Sequence, residues 1–172
     1  MVAFGTNSRW GGLTLYVDIN IMMWMSRASP VPYETTLRVR DNCLCLHVQR
    51  AARALGRRFD EALRPVGLTN GQFSLMMSLN RPEPPGMSAV AHLLAMDRTT
   101  LTAALKPLER RGLVTVTRDP SDRRGRLLSL TSEGKLLLAQ GVPIWERTHR
   151  EVKARMKDVM PDRLRSTLRA LA

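Results

Sequence analysis

Two groups of side chains in this chain could do chemistry of a recognisable kind. The first is Arg98-Thr99-Thr100-Leu101-Thr102 with Lys106 one turn further on, followed downstream by Asp119-Pro120-Ser121-Asp122-Arg123-Arg124. Arginine can fork onto a guanine edge, threonine can touch a thymine methyl or a phosphate, and lysine pairs with phosphate. The second group is Cys43 and Cys45 in Asp41-Asn42-Cys43-Leu44-Cys45-Leu46. A helix N-terminus is a place where thiols become reactive, so this pair points to oxidation chemistry. Taken singly, each feature has a plainer reading. A basic turn is often just solvated, a Thr-rich helix start is often just a cap, and cysteine in a helix is often a small buried hydrophobe. Order and spacing have to decide.

The composition narrows the choices. The chain has 172 residues, Lys plus Arg 27 and Asp plus Glu 15, a net charge of +12 that suits a polyanionic partner. That length fits one domain of ordinary size. Aromatics are only 5% and strand-forming runs are few, which argues against a large β-sandwich or barrel. Two cysteines exclude a disulfide scaffold, and with three histidines they lack the spacing of a zinc site, so no metal or cofactor is expected. No uncharged apolar run of about 18 residues is present, so no membrane span is expected, and the expected compartment is the cytoplasm. Acidic side chains are scattered without an acid–base couple, and His47, His92 and His149 read as packing or surface residues. The chain does not read as an enzyme.

The elements that must position the first group can be read in order. Leu13, Leu15, Val17, Ile19 and Ile21 alternate with polar residues, a strand pattern. Residues 1–40 are expected to be an N-terminal extension. Either translation starts at Met22, Met23 or Met25, or the segment is an extra strand or arm. Ser29-Pro30-Val31-Pro32 reads as an extended linker. From Asp41 the pattern is helical, with Leu44, Val48, Ala51, Ala52, Leu55, Phe59 and Ala62 on one stripe, ending near Pro65 and Gly67. Thr69-Asn70-Gly71-Gln72 is a capping box opening a second helix. Ser88 is expected to cap a third, and Asp97 a fourth that runs from Arg98 to Arg111 and stops at Gly112. Leu113–Thr117 and Arg126–Leu130 predict a hairpin, with Val114 and Val116 facing Leu128 and Leu130. Thr131 caps a long helical region that Gly141 and Pro143 should kink or break, and Pro161 opens a terminal helix carrying Leu164, Leu168 and Leu171.

Helix, turn, helix, then a basic hairpin is the winged helix-turn-helix order. The second helix of such a pair fits the major groove, and the hairpin can place an arginine in the narrow minor groove. Asp122, two residues from Arg124, is expected to orient that guanidinium. The fold class is therefore mainly α, a winged helix-turn-helix with a two-stranded β-wing and flanking helices. A winged-helix protein–protein adaptor is the alternative, with a thiol-dependent peroxide-handling protein behind it.

Met96-Asp97-Arg98-Thr99-Thr100-Leu101-Thr102, Leu108-Glu109-Arg110-Arg111-Gly112-Leu113-Val114, Asp119-Pro120-Ser121-Asp122-Arg123-Arg124 and Leu130-Thr131-Ser132-Glu133-Gly134 together resemble the MarR family of bacterial regulators. The likeness runs from about Asp41 to the C-terminus. It implies a homodimer joined by helices in 41–65 and 131–172, a DNA-binding lobe over 68–130, and a palindromic double-stranded DNA operator. It also implies repression relieved by a small-molecule effector or by thiol oxidation. Arg98, Thr99, Thr100, Thr102 and Lys106 would then read the major groove, with Arg123 and Arg124 at the wing. Met76 and Met77 fall where a family effector cavity would lie, although methionine at helical spacing is commonly core filler. Cys45 is similar in position to the reactive cysteine of the hydroperoxide-sensing branch, where tyrosines hold the thiolate. Gln49 and Phe59 stand at the matching positions here. Cys45 is expected nearer the apolar stripe than Cys43, and two residues apart on a helix they should not bridge each other.

Overall fold

The computed structural model describes residues 30–156 and 159–171. The expected strand over 13–21 and the start-site reading lie outside them. The described residues fall into two units that divide between Arg50 and Ala51.

In the first unit, helix α1 spans Tyr33–Asn42, so helical structure begins eight residues earlier than the sequence pattern suggests. None of its residues is buried, which explains why no apolar stripe announces it. Helix α2, Leu44–Leu63, follows after a break at Cys43, whose φ of −74° and ψ of 105° are extended, and continues past Arg50 into the second unit. The stripe expected along α2 is covered only at its end. Phe59 and Leu63 are buried, whereas Leu44, Val48 and Leu55 are exposed.

The second unit holds the remaining elements. After a 3₁₀ turn, Arg64–Val66, Gly67 sits at φ 66°, a left-handed position that glycine adopts without steric cost. Helix α3, Asn70–Leu79, opens on the expected capping box, with Thr69 Oγ1 accepting from Gln72 N and Gln72 Oε1 accepting from Thr69 N. Helix α4 is Met87–Leu93 and helix α5 is Arg98–Arg110. Ser88 does not cap α4. Gly86 holds that position without a side-chain bond, and Ser88 lies inside the helix. The turn between α4 and α5 takes Leu94 to Asp97 and contains Ala95 at φ 50°. Strands β1, Val114–Arg118, and β2, Arg126–Leu130, pair antiparallel, with Val114 opposite Leu130 and Val116 opposite Leu128 as expected. A bridge from Gly86 to Leu127, with Leu128 N donating to Pro85 O at 3.0 Å, ties the loop before α4 to the hairpin.

Helix α6, Ser132–Ala154, runs unbroken through Gly141 and Pro143, and helix α7 is Pro161–Arg169. Packing explains the tolerance at Gly141, where an added Cβ would lie 3.0 Å from the Phe73 ring. The close approach of α3 to α6 suits a glycine there, since any side chain would make the Phe73 ring give way by a few tenths of an ångström. The other end of α6 is fixed by Thr131. Its hydroxyl donates to Gly112 O at 2.7 Å and accepts from Gly134 N at 3.0 Å, and its backbone N–H donates to Leu113 O at 3.1 Å. Arg58 on α2 pairs with Glu151 on α6 at 2.6 Å.

The core lies under the helix-turn-helix and the wing. Leu101, Leu105 and Leu108 are spaced at helical intervals along the inner face of α5, each at most 1% exposed. They pack with Leu75, Met76, Val90 and Leu128 in one cluster. Burying a leucine contributes roughly 1.5–3 kcal/mol, so this row fixes which face of α5 turns outward. Among the described residues, no helix is long and apolar enough to cross a membrane.

Candidate nucleic-acid interface

With Leu101, Leu105 and Leu108 inward, the outer face of α5 presents Arg98, Thr99, Thr102 and Lys106, which line one shallow depression together with Ala103. Thr100 stands apart from it. Asp97, the N-cap, accepts from Thr100 N at 2.8 Å and from Thr100 Oγ1 at 2.6 Å. These bonds, the hydroxyl's first, hold the Asp97 carboxyl below the usual carboxylate range. The Thr102 hydroxyl proton is also committed, donated to Arg98 O at 2.7 Å. Of the expected major-groove set, then, Thr100 and Thr102 have spent their hydroxyl protons inside the helix. Arg98, Thr99 and Lys106 make no side-chain hydrogen bond among the described residues. Ala103 was not singled out from sequence. Its signal was its place between Thr99 and Lys106 on the same helical face, where a methyl group can meet a thymine methyl.

The wing is built by its aspartates. Asp119 Oδ1 accepts from Ser121 N at 2.8 Å and from Ser121 Oγ at 2.6 Å, and these bonds lower the Asp119 carboxyl below its ordinary range. Asp122 was expected to orient the Arg124 guanidinium. Its Oδ1 instead accepts from the Arg124 backbone N–H at 2.9 Å, because a carboxylate two residues back reaches the chain more easily than the end of a long side chain. Gly125 closes the turn, donating to Asp122 O at 2.8 Å and accepting from Asp119 N at 3.2 Å. A Cβ at Gly125 would fall 2.8 Å from Asp119 Cβ, so the turn admits only glycine. The aspartates thus shape the backbone and leave Arg123 and Arg124 exposed, without an ion-pair partner among the described residues.

The two cysteines do not sit as expected. Cys45 is exposed and Cys43 is the half-buried one, the reverse of the sequence expectation. The break between α1 and α2 is the reason. Cys43 lies outside both helices and caps α2, its Sγ accepting from Leu46 N at 3.4 Å. Gln49 Nε2 donates to Cys45 Sγ at 3.2 Å, so Gln49, which the sequence set beside Cys45, does reach this sulfur.

The methionine pair also separates. Met76 is fully buried in the core, whereas Met77 is exposed and lines a cavity of about 570 Å³ with Phe73, Leu93, Val142, Trp145 and Glu146. Trp145 lies nearly parallel to Phe73, with centroids 6.4 Å apart, and stacks on His149 at 4.8 Å. Burial first, and then Lys153 and Arg165, push the His149 pKa down. Among the described residues, no group of three or more His, Cys, Asp or Glu side chains could hold a metal ion.

Residues 68–125, from the capping box of α3 to the wing tip, match the profile of the MarR family. An organic hydroperoxide resistance transcriptional regulator of Bacillus subtilis (strain 168) is 31% identical over 104 residues, 60% of this chain and 71% of the relative. Among solved structures, the M. tuberculosis transcriptional regulator MosR in complex with DNA is similar at 38% identity and a TM-score of 0.69. That likeness covers 76% of this chain and 93% of MosR. The transcriptional repressor CouR bound to p-coumaroyl-CoA is similar at 27% identity and a TM-score of 0.68, over 77% of this chain and 94% of CouR. With its winged helix-turn-helix and this degree of likeness, the chain belongs to the MarR family of transcriptional regulators.

Proposed function

We propose that the chain is a homodimeric repressor that reads a two-fold operator in double-stranded DNA in the cytoplasm and lets go when its effector cavity is filled. The observation that carries this reading is the outward face of α5, where Arg98, Thr99 and Lys106 are exposed and unpaired beside Thr102 and Ala103. Arg98 and Thr99 are assigned to base edges and Lys106 to phosphate, with Thr100 mainly holding the helix start. The stiffened wing carries Arg123 and Arg124 toward the minor groove, where negative potential is deepest. The chain acts as a regulator and not as an enzyme.

The trigger is a small molecule in the cavity beside Trp145, as CouR is bound to p-coumaroyl-CoA. A ligand there releases DNA only by favouring one arrangement of the two lobes over another. A second trigger, oxidation of Cys45 with Cys43 nearby, is favoured by the exposure of that thiol and by the likeness to a hydroperoxide resistance regulator.

Fluorescence anisotropy of the reduced protein, on DNA just upstream of its own gene and on a scrambled duplex at equal salt, tests the reading. Specific binding should exceed scrambled binding by ~10³ or more. Equal, salt-labile binding to both would refute operator reading at that site and favour a protein partner for the winged helix. For the thiol, peroxide should release the wild type and spare Cys45→Ser, and equal sensitivity would remove Cys45 as a sensor.

A further inference from the structure

We infer that the cavity beside Trp145 selects planar aromatic cations bearing an N–H donor over aromatic carboxylates. The inference rests on the reading of that cavity as the effector site. A volume of about 570 Å³ suits a molecule of a few fused rings. Two ring systems, Phe73 and Trp145, contribute to its wall and suit a flat aromatic ligand.

The polar groups set the charge that the cavity favours. Glu146 is the charged residue of the lining, and none of the lining residues is basic. Ser78 Oγ donates its proton to Leu75 O at 2.7 Å, so toward the cavity it can only accept. Ser74, at the exposed rim, can turn either way. His149, stacked on Trp145, is held toward its neutral form and does not offset the Glu146 charge. An aromatic carboxylate would therefore meet a like charge at Glu146 and an acceptor-only hydroxyl at Ser78, with only neutral side-chain donors, the Ser74 hydroxyl and the Trp145 N–H, so its charge would lose hydration without a cation to balance it. A protonated ring nitrogen or amine would instead find acceptors in the Glu146 carboxylate and the Ser78 oxygen.

Three two-ring probes of similar shape test this by isothermal titration of the reduced full-length protein near neutral pH: 4-aminoquinoline, 1-naphthylamine and 1-naphthoate, respectively cationic, neutral and anionic. The cation should bind at least about tenfold tighter than the anion, with the neutral amine between them. Glu146→Gln should shrink that preference to about threefold or less, and Met77→Trp, which fills an exposed lining position, should weaken all three. If 1-naphthoate binds as tightly as the cation and Met77→Trp abolishes its binding, the ligand class is overturned while the cavity stands as effector site. A cation preference that survives Glu146→Gln intact would overturn the role of that carboxylate. If no probe binds, or if Met77→Trp leaves binding unchanged, the inference and the reading of the cavity fall together.

Discussion

The helix-turn-helix with its wing and the terminal helix α7 lie in the same unit of the chain but handle their apolar side chains in opposite ways. In the first, Leu101, Leu105, Leu108 and Leu128 are at most 1% exposed, and a single chain completes the core. In α7 no residue is buried, and Leu164 and Leu168 remain 39% and 40% exposed, one turn apart on the same face. A short helix has little stability of its own in water and is normally held by packing its apolar face. The reading lobe is therefore finished within one chain, whereas α7 presents a face that suits a second copy.

The strongest break in this comparison is at the hinge of the reading lobe. A Cβ at Gly134 would lie 2.1 Å from Leu113 O. Gly134→Ala should therefore destabilise the fold by about 3 kcal/mol or more, measured by urea unfolding. A loss below about 1 kcal/mol would mean that α6 and the strand entry move apart freely.

Breaking the other side should leave the lobe intact. Leu164→Glu with Leu168→Glu removes four leucines from a dimer, and since each has only about two fifths of its surface left to bury, their contribution is roughly 2–5 kcal/mol. Sedimentation should show monomers with native helical content and operator affinity reduced at least ~100-fold through loss of paired binding. An unchanged dimer would place the interface elsewhere. Within the lobe, Arg98→Ala should cost about 1–3 kcal/mol of binding and relax specificity at one base pair, read by anisotropy on single-position variants of the operator. Uniform loss across all sequences would reassign Arg98 to phosphate.

The smallest effect is that of acid. The Asp97 and Asp119 carboxyls titrate below their ordinary range when folded, so their contribution is complete above that range and is lost as pH falls through the lowered values. The difference in Tm between the wild type and Asp97→Asn should therefore narrow on acidification. A difference constant with pH would show that the charge of Asp97 contributes nothing to the cap.

What could be read from sequence followed from local rules. The Thr69–Gln72 box, the Asp97 cap, the stop at Gly112 and the pairing of Val114 and Val116 with Leu130 and Leu128 each depend on a few neighbouring residues. The misreadings came where a distant contact or a missing stripe decided the outcome. Helix α1 buries nothing and so carries no apolar signal. Gly141 and Pro143 look like breakers until the Phe73 ring is seen against Gly141. Cys43 lost its helical place to the break before α2, and with it the expected ranking of the two thiols. In the candidate site, residue types pointed to the α5 face and the wing, but the hydrogen bonds that engage Thr100, Thr102 and Asp122 depend on rotamers that spacing alone does not fix.

Hydroxyl-radical footprinting of the reduced full-length protein on DNA upstream of its own gene, with the number of bound chains taken from sedimentation, tests the central claim most directly. Two reading lobes joined by a second-copy interface predict two protected patches centred about one helical turn, ~34 Å, apart on one face of the duplex, with two chains bound. A single patch occupied by one chain would contradict the division between a self-sufficient reader and a face completed by a partner.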